Sequence, residues 1–385
     1  FIRDGRTLDE GMSFRKWQAM AKTEIAIAVA EAENSQEHDE INSRRALIVA
    51  AAAMVAAFAQ AGVQAQEVTL RMHNFIPPVA NPAKHFLIPW AKKVEAASKG
   101  RIKVQNFWTM SLGGTPPQLV TQVKDGVVDI TFTLPGYTAG RFPKTEVFEL
   151  PFVHTTTQAT TAAIQDFQDK HLKDEWSAYH VLMLNNHAGA LIQTKNPVLK
   201  MSDLKNLKIR TATRSGGLFL KSMGAVPVGA PLPKIPQLLS KGVIDGALLP
   251  FEIAPAVKMQ DLVSHFSILE GKQPRLNTSV FSFLMNPTSY KKLPTDLKRV
   301  IDGLSGRNIA AGAANTWASI ETPGRKVMAS KSKNKFHTIP ASEVAKMREA
   351  AKPAIAAWLK AMKGRGINGQ ELLDDARAMV AKYTK

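Results

Sequence analysis

Arg210 is the side chain of this sequence best placed to do chemistry. It closes the run Asp203-Leu-Lys-Asn-Leu-Lys-Ile-Arg210, and a Gly-rich turn follows it, so it stands where a strand hands over to a loop. A guanidinium offers a planar fork of donors that matches a carboxylate in two parallel hydrogen bonds, which makes a strand-end arginine an anion clamp. An ordinary exposed ion pair is the other reading of such a residue. Phe75, Tyr137 and Phe251 each follow a strand or a turn. They are expected to line a cleft and stack on a ligand body, or else to pack in a core. Arg214, in a Thr-Arg-Ser-Gly-Gly turn, offers a further donor or faces solvent. Glu252 and Thr138 offer hydrogen bonds to a ligand hydroxyl or cap helices. Trp108 brings apolar surface to the cleft or fills the packing of its lobe.

Catalytic patterns do not accompany these residues. The chain has no Gly-x-Ser-x-Gly elbow, no His-Glu-x-x-His, no Gly-x-x-x-x-Gly-Lys and no dinucleotide fingerprint after a first strand. Cysteine is absent, which excludes disulfides, thiolate chemistry and cysteine-based metal sites. His73, His85, His154, His171, His180 and His187 are scattered without ligand spacing, and Asp374 and Asp375 read as a solvated helix face. No catalytic residue, metal or cofactor is therefore expected.

The elements that must position Arg210 repeat. Pro117 to Asp129 aligns without gaps on Pro233 to Asp245, 116 residues later, and each copy reads as helix, Gly stop and strand. Gly126 and Gly242 stand where a helix takes a left-handed cap. Two copies suggest two similar lobes around a ligand. Strands are expected over Val68 to Met72, Gly100 to Phe107 and Asp129 to Leu134, and a helix over Ala83 to Ser98. A further helix begins near Leu293 with Thr295 as N-cap and runs towards Pro323, kinked near Gly303, Gly306 and Gly312. Another spans Ser342 to Met362, interrupted at Pro353. This alternation gives an α/β fold with a mainly parallel sheet and sites at the carboxyl ends of its strands.

The 385 residues are 45% hydrophobic and 21% charged, enough for one large or two medium domains. The first forty or so residues are polar, without a capped apolar period, and residues 1–42 read as a non-native or over-extended start. Ser43-Arg44-Arg45, the apolar run Ala46 to Ala59 and the small residues ending in Val63-Gln64-Ala65 read as a bacterial export signal, too short for a membrane anchor. Cleavage is expected after Ala65, with Ala61 as the second choice, and the twin-arginine route is a weaker match than general export. Residues 1–65 carry seven Lys/Arg and nine Asp/Glu, so removing them raises the net charge from +18 to +20. Such a charge favours anionic partners. The basic residues are scattered, and apart from Lys331-Ser-Lys-Asn-Lys335 they form no run, so nucleic acid is not expected as a partner.

Four stretches together carry a resemblance: Gly136-Tyr-Thr-Ala-Gly-Arg-Phe-Pro143, Thr145-Glu-Val-Phe-Glu-Leu-Pro-Phe152, Leu204 to Arg210 and Lys241 to Glu252. From about Val68 to the C-terminus the chain resembles the DctP-type solute receptors of tripartite ATP-independent periplasmic (TRAP) transporters. The resemblance implies a periplasmic, two-lobed receptor, with mainly parallel sheets and long C-terminal helices, that closes on an organic acid. It also implies delivery to a small and a large integral membrane subunit driven by a sodium gradient, and an arginine, here Arg210, under the ligand carboxylate. Departures from the sialic-acid and dicarboxylate receptors refine this. Leu248-Leu249-Pro250-Phe251-Glu252 stands where many have Glu-Asn-Pro, His187 to Thr194 offers no second basic residue, and Phe107-Trp108-Thr109-Met110 is bulky and apolar. A monocarboxylate with an apolar or aromatic body is the expected ligand. Lobe I is expected over residues 67–189 with a return at 277–315, and lobe II over 190–276 with the helices of 316–385. Replacing Arg210 by Ala is expected to weaken binding while leaving the unliganded fold intact. An exported enzyme acting on a small acid, and a basic polyanion-binding protein, are the competing readings.

Overall fold

The two repeat copies fold alike, residue for residue. In the computed structural model, which describes residues 14–33, 68–271 and 275–384, the copies form the helices Leu119–Lys124 and Ile235–Ser240. Each helix ends two residues before a glycine with positive φ, Gly126 at +74° and Gly242 at +67°. Val127 N donates to Gln122 O and Val243 N to Leu238 O, both at 2.9 Å. This is the six-to-one bond of a Schellman cap, and only a residue without Cβ adopts the capping conformation cheaply. The aspartates that close the repeats are also matched. Asp129 Oδ2 accepts from Arg71 N and Asp245 Oδ2 from Lys208 N, at 2.8 Å each, tying each new strand to its neighbour.

Those strands belong to two sheets. The first runs β2 (Ile102–Phe107), β1 (Val68–Asn74), β3 (Ile130–Thr133), β10 (Val280–Met285), β4 (His180–Asn186). The second runs β11 (Lys335–Ile339), β9 (His265–Leu269), β5 (Leu191–Thr194), β8 (Gly246–Leu249), β6 (Lys208–Thr211), β7 (Val226–Gly229). In each sheet one strand runs against both of its neighbours, β10 in the first and β5 in the second, and the remaining pairs are parallel. Each reversed strand is the first one laid down after the chain passes between sheets. The two passages lie side by side, with Ala190 N donating to Asn277 O at 2.7 Å and Leu276 N to Ala190 O at 3.2 Å.

The helices follow the expected pattern with local changes. The segment from Ala83 to Ala97 opens with a π-helical turn, Ala83–Leu87, before the α-helix Ile88–Ala97. Pro89 lacks the N–H that the first turns would need, so the widened turn falls where the ladder is already incomplete. The helix expected from Leu293 divides in three. Thr295–Gly303 has Pro294, not Thr295, at its N-cap. Gly306, with φ +54°, separates it from Arg307–Ser319, and Ile320 separates that from Glu321–Ala329. Gly312 causes no kink and sits inside a continuous helix. Pro353 occupies the first turn of Lys352–Lys363, next to the break after Ala341–Ala350.

The C-terminal segment 316–385, expected with the second lobe, is shared between the lobes. The helix Gly369–Tyr383 packs on Thr157–His171 beside the first sheet, and its Leu372, Leu373, Ala376 and Val380 join Phe148 and Phe167 in one apolar cluster. Lys352–Lys363 touches both sides: Ala354 is in the core of the second lobe, while Trp358 packs in the first and donates its indole N–H to Pro143 O at 3.2 Å. The amphipathic periodicity of these helices reveals that they bury a face but not which lobe receives it.

The N-terminal residues form a separate unit, 1–65. Within it Phe14–Glu33 is a helix. The stretch has no capped apolar period, yet its alanines, glutamates and lysines are intrinsically strong helix formers. The expected export signal, 43–65, lies outside the described residues. Among the described residues no helix is long and apolar enough to cross a membrane.

Candidate functional site

The carboxyl ends of the parallel strands of both sheets converge on one cavity of about 40 Å³, several times the roughly 10–15 Å³ that a single water needs. Phe75 and Ile76 follow β1, Phe132, Leu134 and Tyr137 end or follow β3, Arg210 and Thr211 end β6, and Leu248, Leu249, Pro250 and Glu252 end or follow β8. The repeat places the post-strand turns at 134–137 and 250–253 on facing walls. Both lobes touch across the cavity's rim. Tyr137 Oη accepts from Leu232 N at 3.1 Å, Glu252 O accepts from Asn81 Nδ2 at 2.9 Å, and Ser215 Oγ donates to Glu149 at 3.2 Å.

Arg210 sits at the bottom of this space, only 2% exposed. Its strand β6 lies between β8 and the edge strand β7, with Arg210 opposite Val228 and Ala247, so the side chain leaves the sheet from an interior strand and not from the edge. Nε donates to Ala230 O at 2.8 Å and Nη1 to Leu248 O at 3.4 Å. These carbonyls and the Tyr137 hydroxyl orient the fork, which faces the cavity. Burial pulls the Arg210 pKa down and the neighbouring Tyr137 hydroxyl lifts it, but a guanidinium stays charged at any physiological pH. Burial raises the Tyr137 pKa, with the Arg210 charge opposing, so Tyr137 is a neutral phenol here.

The walls are aromatic. Phe75 meets Tyr137 edge to face at 5.5 Å, and Phe132 stacks on Phe281 at 4.8 Å with Trp317 behind both. Such packing fixes ring orientations and leaves a flat slot. The paired passages between lobes contribute His187, Ala190, Asn277 and Ser279. His187 Nδ1 lies 2.9 Å from Gly189 N and Nε2 3.0 Å from Ser279 N, and Thr278 Oγ1 donates to its carbonyl at 2.8 Å. Burial first, then the charges around it, push its pKa down to about 3, so it is a neutral strut between the passages.

Of the residues singled out from sequence, the structure gathers Arg210, Phe75, Tyr137 and Glu252 on the cavity. The other four lie off it. Thr138 donates its hydroxyl to Pro135 O at 2.8 Å, completing its own turn. Arg214 is half-buried and pairs with Glu146 at 2.6 Å across the two lobes, which holds its pKa above the usual value. Phe251 points away into the second lobe, with Phe266 and Phe336 about its ring at 6.1 and 6.0 Å. Trp108 packs on the core of the first lobe. Phe251 stands between the lining residues Pro250 and Glu252 and faces the other way, whereas Arg214 opens the helix Arg214–Ser222, two residues past the last lining residue of its segment, and turns to Glu146. Phe132, Leu232, Asn277, Ser279 and Phe281 were not singled out. Phe132 was accessible in principle as an inward residue of the third strand, whereas Asn277 and Ser279 depend on a passage that no local pattern marks.

A sequence model of the family described as bacterial extracellular solute-binding protein, family 7, matches residues 75–361. A TRAP solute binding protein from Rhodoferax ferrireducens T118, solved with copurified benzoate, is 41% identical with a TM-score of 0.80, covering 82% of this chain and 98% of that one. A marine metagenome TRAP solute binding protein specific for aromatic acid ligands, solved with 3-hydroxybenzoate, is 39% identical with a TM-score of 0.81, covering 83% and 100%. The outer membrane transporter protein TsaT of Comamonas testosteroni is 29% identical over 89% of this chain and 99% of its own. The chain therefore belongs to family 7 of the bacterial extracellular solute-binding proteins, the organic-acid receptors that work with the membrane subunits of TRAP transporters.

Proposed function

We propose that this chain captures a small aromatic monocarboxylate outside the cytoplasm, holds its carboxylate on Arg210, and delivers it unchanged to TRAP membrane subunits. The carrying observation is one buried guanidinium in an aromatic and aliphatic wall. Arg210 is the only Lys or Arg among the residues lining the cavity. A second carboxylate on the ligand would have to be buried against rings or against Glu252, and an unpaired buried charge is costly. The proteins similar in structure that hold benzoate and 3-hydroxybenzoate support the same class. Binding that closes the lobes stabilises the closed state by the ligand's differential affinity for it.

The test is thermal unfolding of the chain from Gln66, stripped of bound ligand by partial denaturation, against aromatic, aliphatic and dicarboxylic acids. An aromatic monocarboxylate at about 100 times its Kd should add about 2.7 kcal/mol of stability, with little response to dicarboxylates. A response confined to dicarboxylates, or turnover of the acid, would sink the reading, and affinity for polyanions that falls steeply with salt would favour the polyanion alternative. Periplasmic export with cleavage after Ala65 is part of the proposal, and N-terminal sequencing of exported protein should begin at Gln66. A start upstream of residue 60 would refute that step.

A further inference from the structure

We infer that the ligand carries a hydroxyl besides its carboxylate, and that Glu252 and Asn277 receive it. The inference rests on the receptor reading above and narrows it. Glu252 is 1% exposed and lines the cavity, yet neither of its carboxyl oxygens has a hydrogen-bond partner of normal geometry among the described residues. Asn277 lines the same cavity, and its Oδ1 is buried and equally unmatched, while its Nδ2 is spent on Thr278 O at 3.4 Å. Buried acceptors without donors are rare in folded proteins. Two unmatched acceptors on one cavity mark where a ligand donor belongs.

The surroundings of Glu252 say what sort of donor. Glu321 lies beside it, with Oε1 accepting from Glu252 N at 2.8 Å and Oε2 held by Arg275 at 2.9 Å. Burial first, and the Glu321 carboxyl next, push the Glu252 pKa well above the usual range, with Glu321 in hydrogen-bonding reach. Burial and the neighbouring Glu321 thus favour the protonated acid at Glu252, which keeps an oxygen able to accept. A neutral acceptor gives an ammonium group no counter-charge, so a hydroxyl is the fitting donor. Unsubstituted benzoate satisfies Arg210 and leaves both acceptors empty. A methoxy or halogen substituent fills space without donating.

Calorimetric titration of ligand-stripped protein with benzoate, the three hydroxybenzoates and their methyl ethers tests this. At least one hydroxy isomer should bind about tenfold or more tightly than both benzoate and its own ether, the discrimination expected when buried polar groups would otherwise stay unpaired. In Glu252→Leu that advantage should fall to about threefold or less. In Glu252→Gln, whose amide can donate to Glu321 while its oxygen still accepts, the preference should survive. Equal affinity for hydroxy acid, ether and benzoate in the unmodified protein overturns the inference whether or not the Leu variant folds, as does an unchanged preference in a folded Leu variant. In either case benzoate still binds and the receptor reading stands. Failure of every aromatic acid to bind would instead remove the receptor reading itself.

Discussion

Replacing Arg210 by Lys should weaken binding of an aromatic monocarboxylate by at least about tenfold, and replacing it by Ala by roughly 30-fold to several thousand-fold. The larger range corresponds to the 2–5 kcal/mol lost when one partner of a buried, hydrogen-bonded charge pair is truncated. Lys keeps the charge but loses the fork, and it cannot satisfy Ala230 O and Leu248 O while also meeting a carboxylate. The same bonds correct the expectation that Arg210→Ala leaves the unliganded fold intact. Two buried carbonyls lose their donor, at a net cost of about 0.5–1.5 kcal/mol each, so the Ala variant should also unfold at lower denaturant. Titration calorimetry together with denaturant unfolding of each variant separates the two effects. Unchanged affinity in a folded Arg210→Lys protein would show that the carboxylate rests elsewhere.

The contribution of Glu149 to stability should be lost as pH rises from about 4.5 through about 8, against the opposite contribution of the buried, neutral His154 and His187 below about pH 6.5, and Glu149→Gln should remove the Glu149 part. Glu149 is buried at the meeting of the two lobes, accepting from Val280 N at 3.0 Å and from Ser215 Oγ at 3.2 Å. Burial raises its pKa to about 8, and the Glu146 charge adds to the rise, while the two hydrogen bonds and Arg214 oppose it. A carboxyl whose folded pKa lies above its unfolded value binds its proton more tightly in the native state. Its contribution is therefore complete below pH 4.5 and is lost by pH 8. At about 1.4 kcal/mol per unit the loss is on the order of a few kcal/mol. Gln keeps an acceptor for Val280 N and carries no titrating proton. Denaturant unfolding of both proteins between pH 5 and 9 measures the difference, and parallel curves would contradict the assignment.

Local signals in the sequence were strong wherever one residue type is nearly obligatory. Gly126 and Gly242 announced the Schellman caps, and the repeat containing them foretold a pair of matched lobes whose turns face each other. Arg210 stood out because a charge at the end of a buried strand needs a reason. Less visible was anything decided by tertiary approach. Phe251 and Glu252 are neighbours, yet one packs with Phe266 and Phe336 and the other lines the cavity. A turn of unknown geometry does not disclose which of two adjacent residues faces in. Arg214 is drawn off the site by Glu146, a partner 68 residues away. Glu321, which adds to the effect of burial in raising the Glu252 pKa, is 69 residues from it and lies beyond one of the passages between lobes. Gly324 carried no mark at all, although a Cβ there would stand 2.0 Å from Phe251 O, so its small size lets the helix Glu321–Ala329 press against the turn that presents Glu252.

A crystal structure of the ligand-stripped chain soaked with or crystallised in an aromatic monocarboxylate tests the central claim most directly. The carboxylate should lie within about 3 Å of the Arg210 guanidinium in a two-pronged contact, with the ring between the Phe75 and Tyr137 pair and the Phe132 and Phe281 pair. A carboxylate bound at Arg214, or anywhere outside the cavity, with Arg210 still held by Ala230 O, Leu248 O and Tyr137 alone, would contradict it.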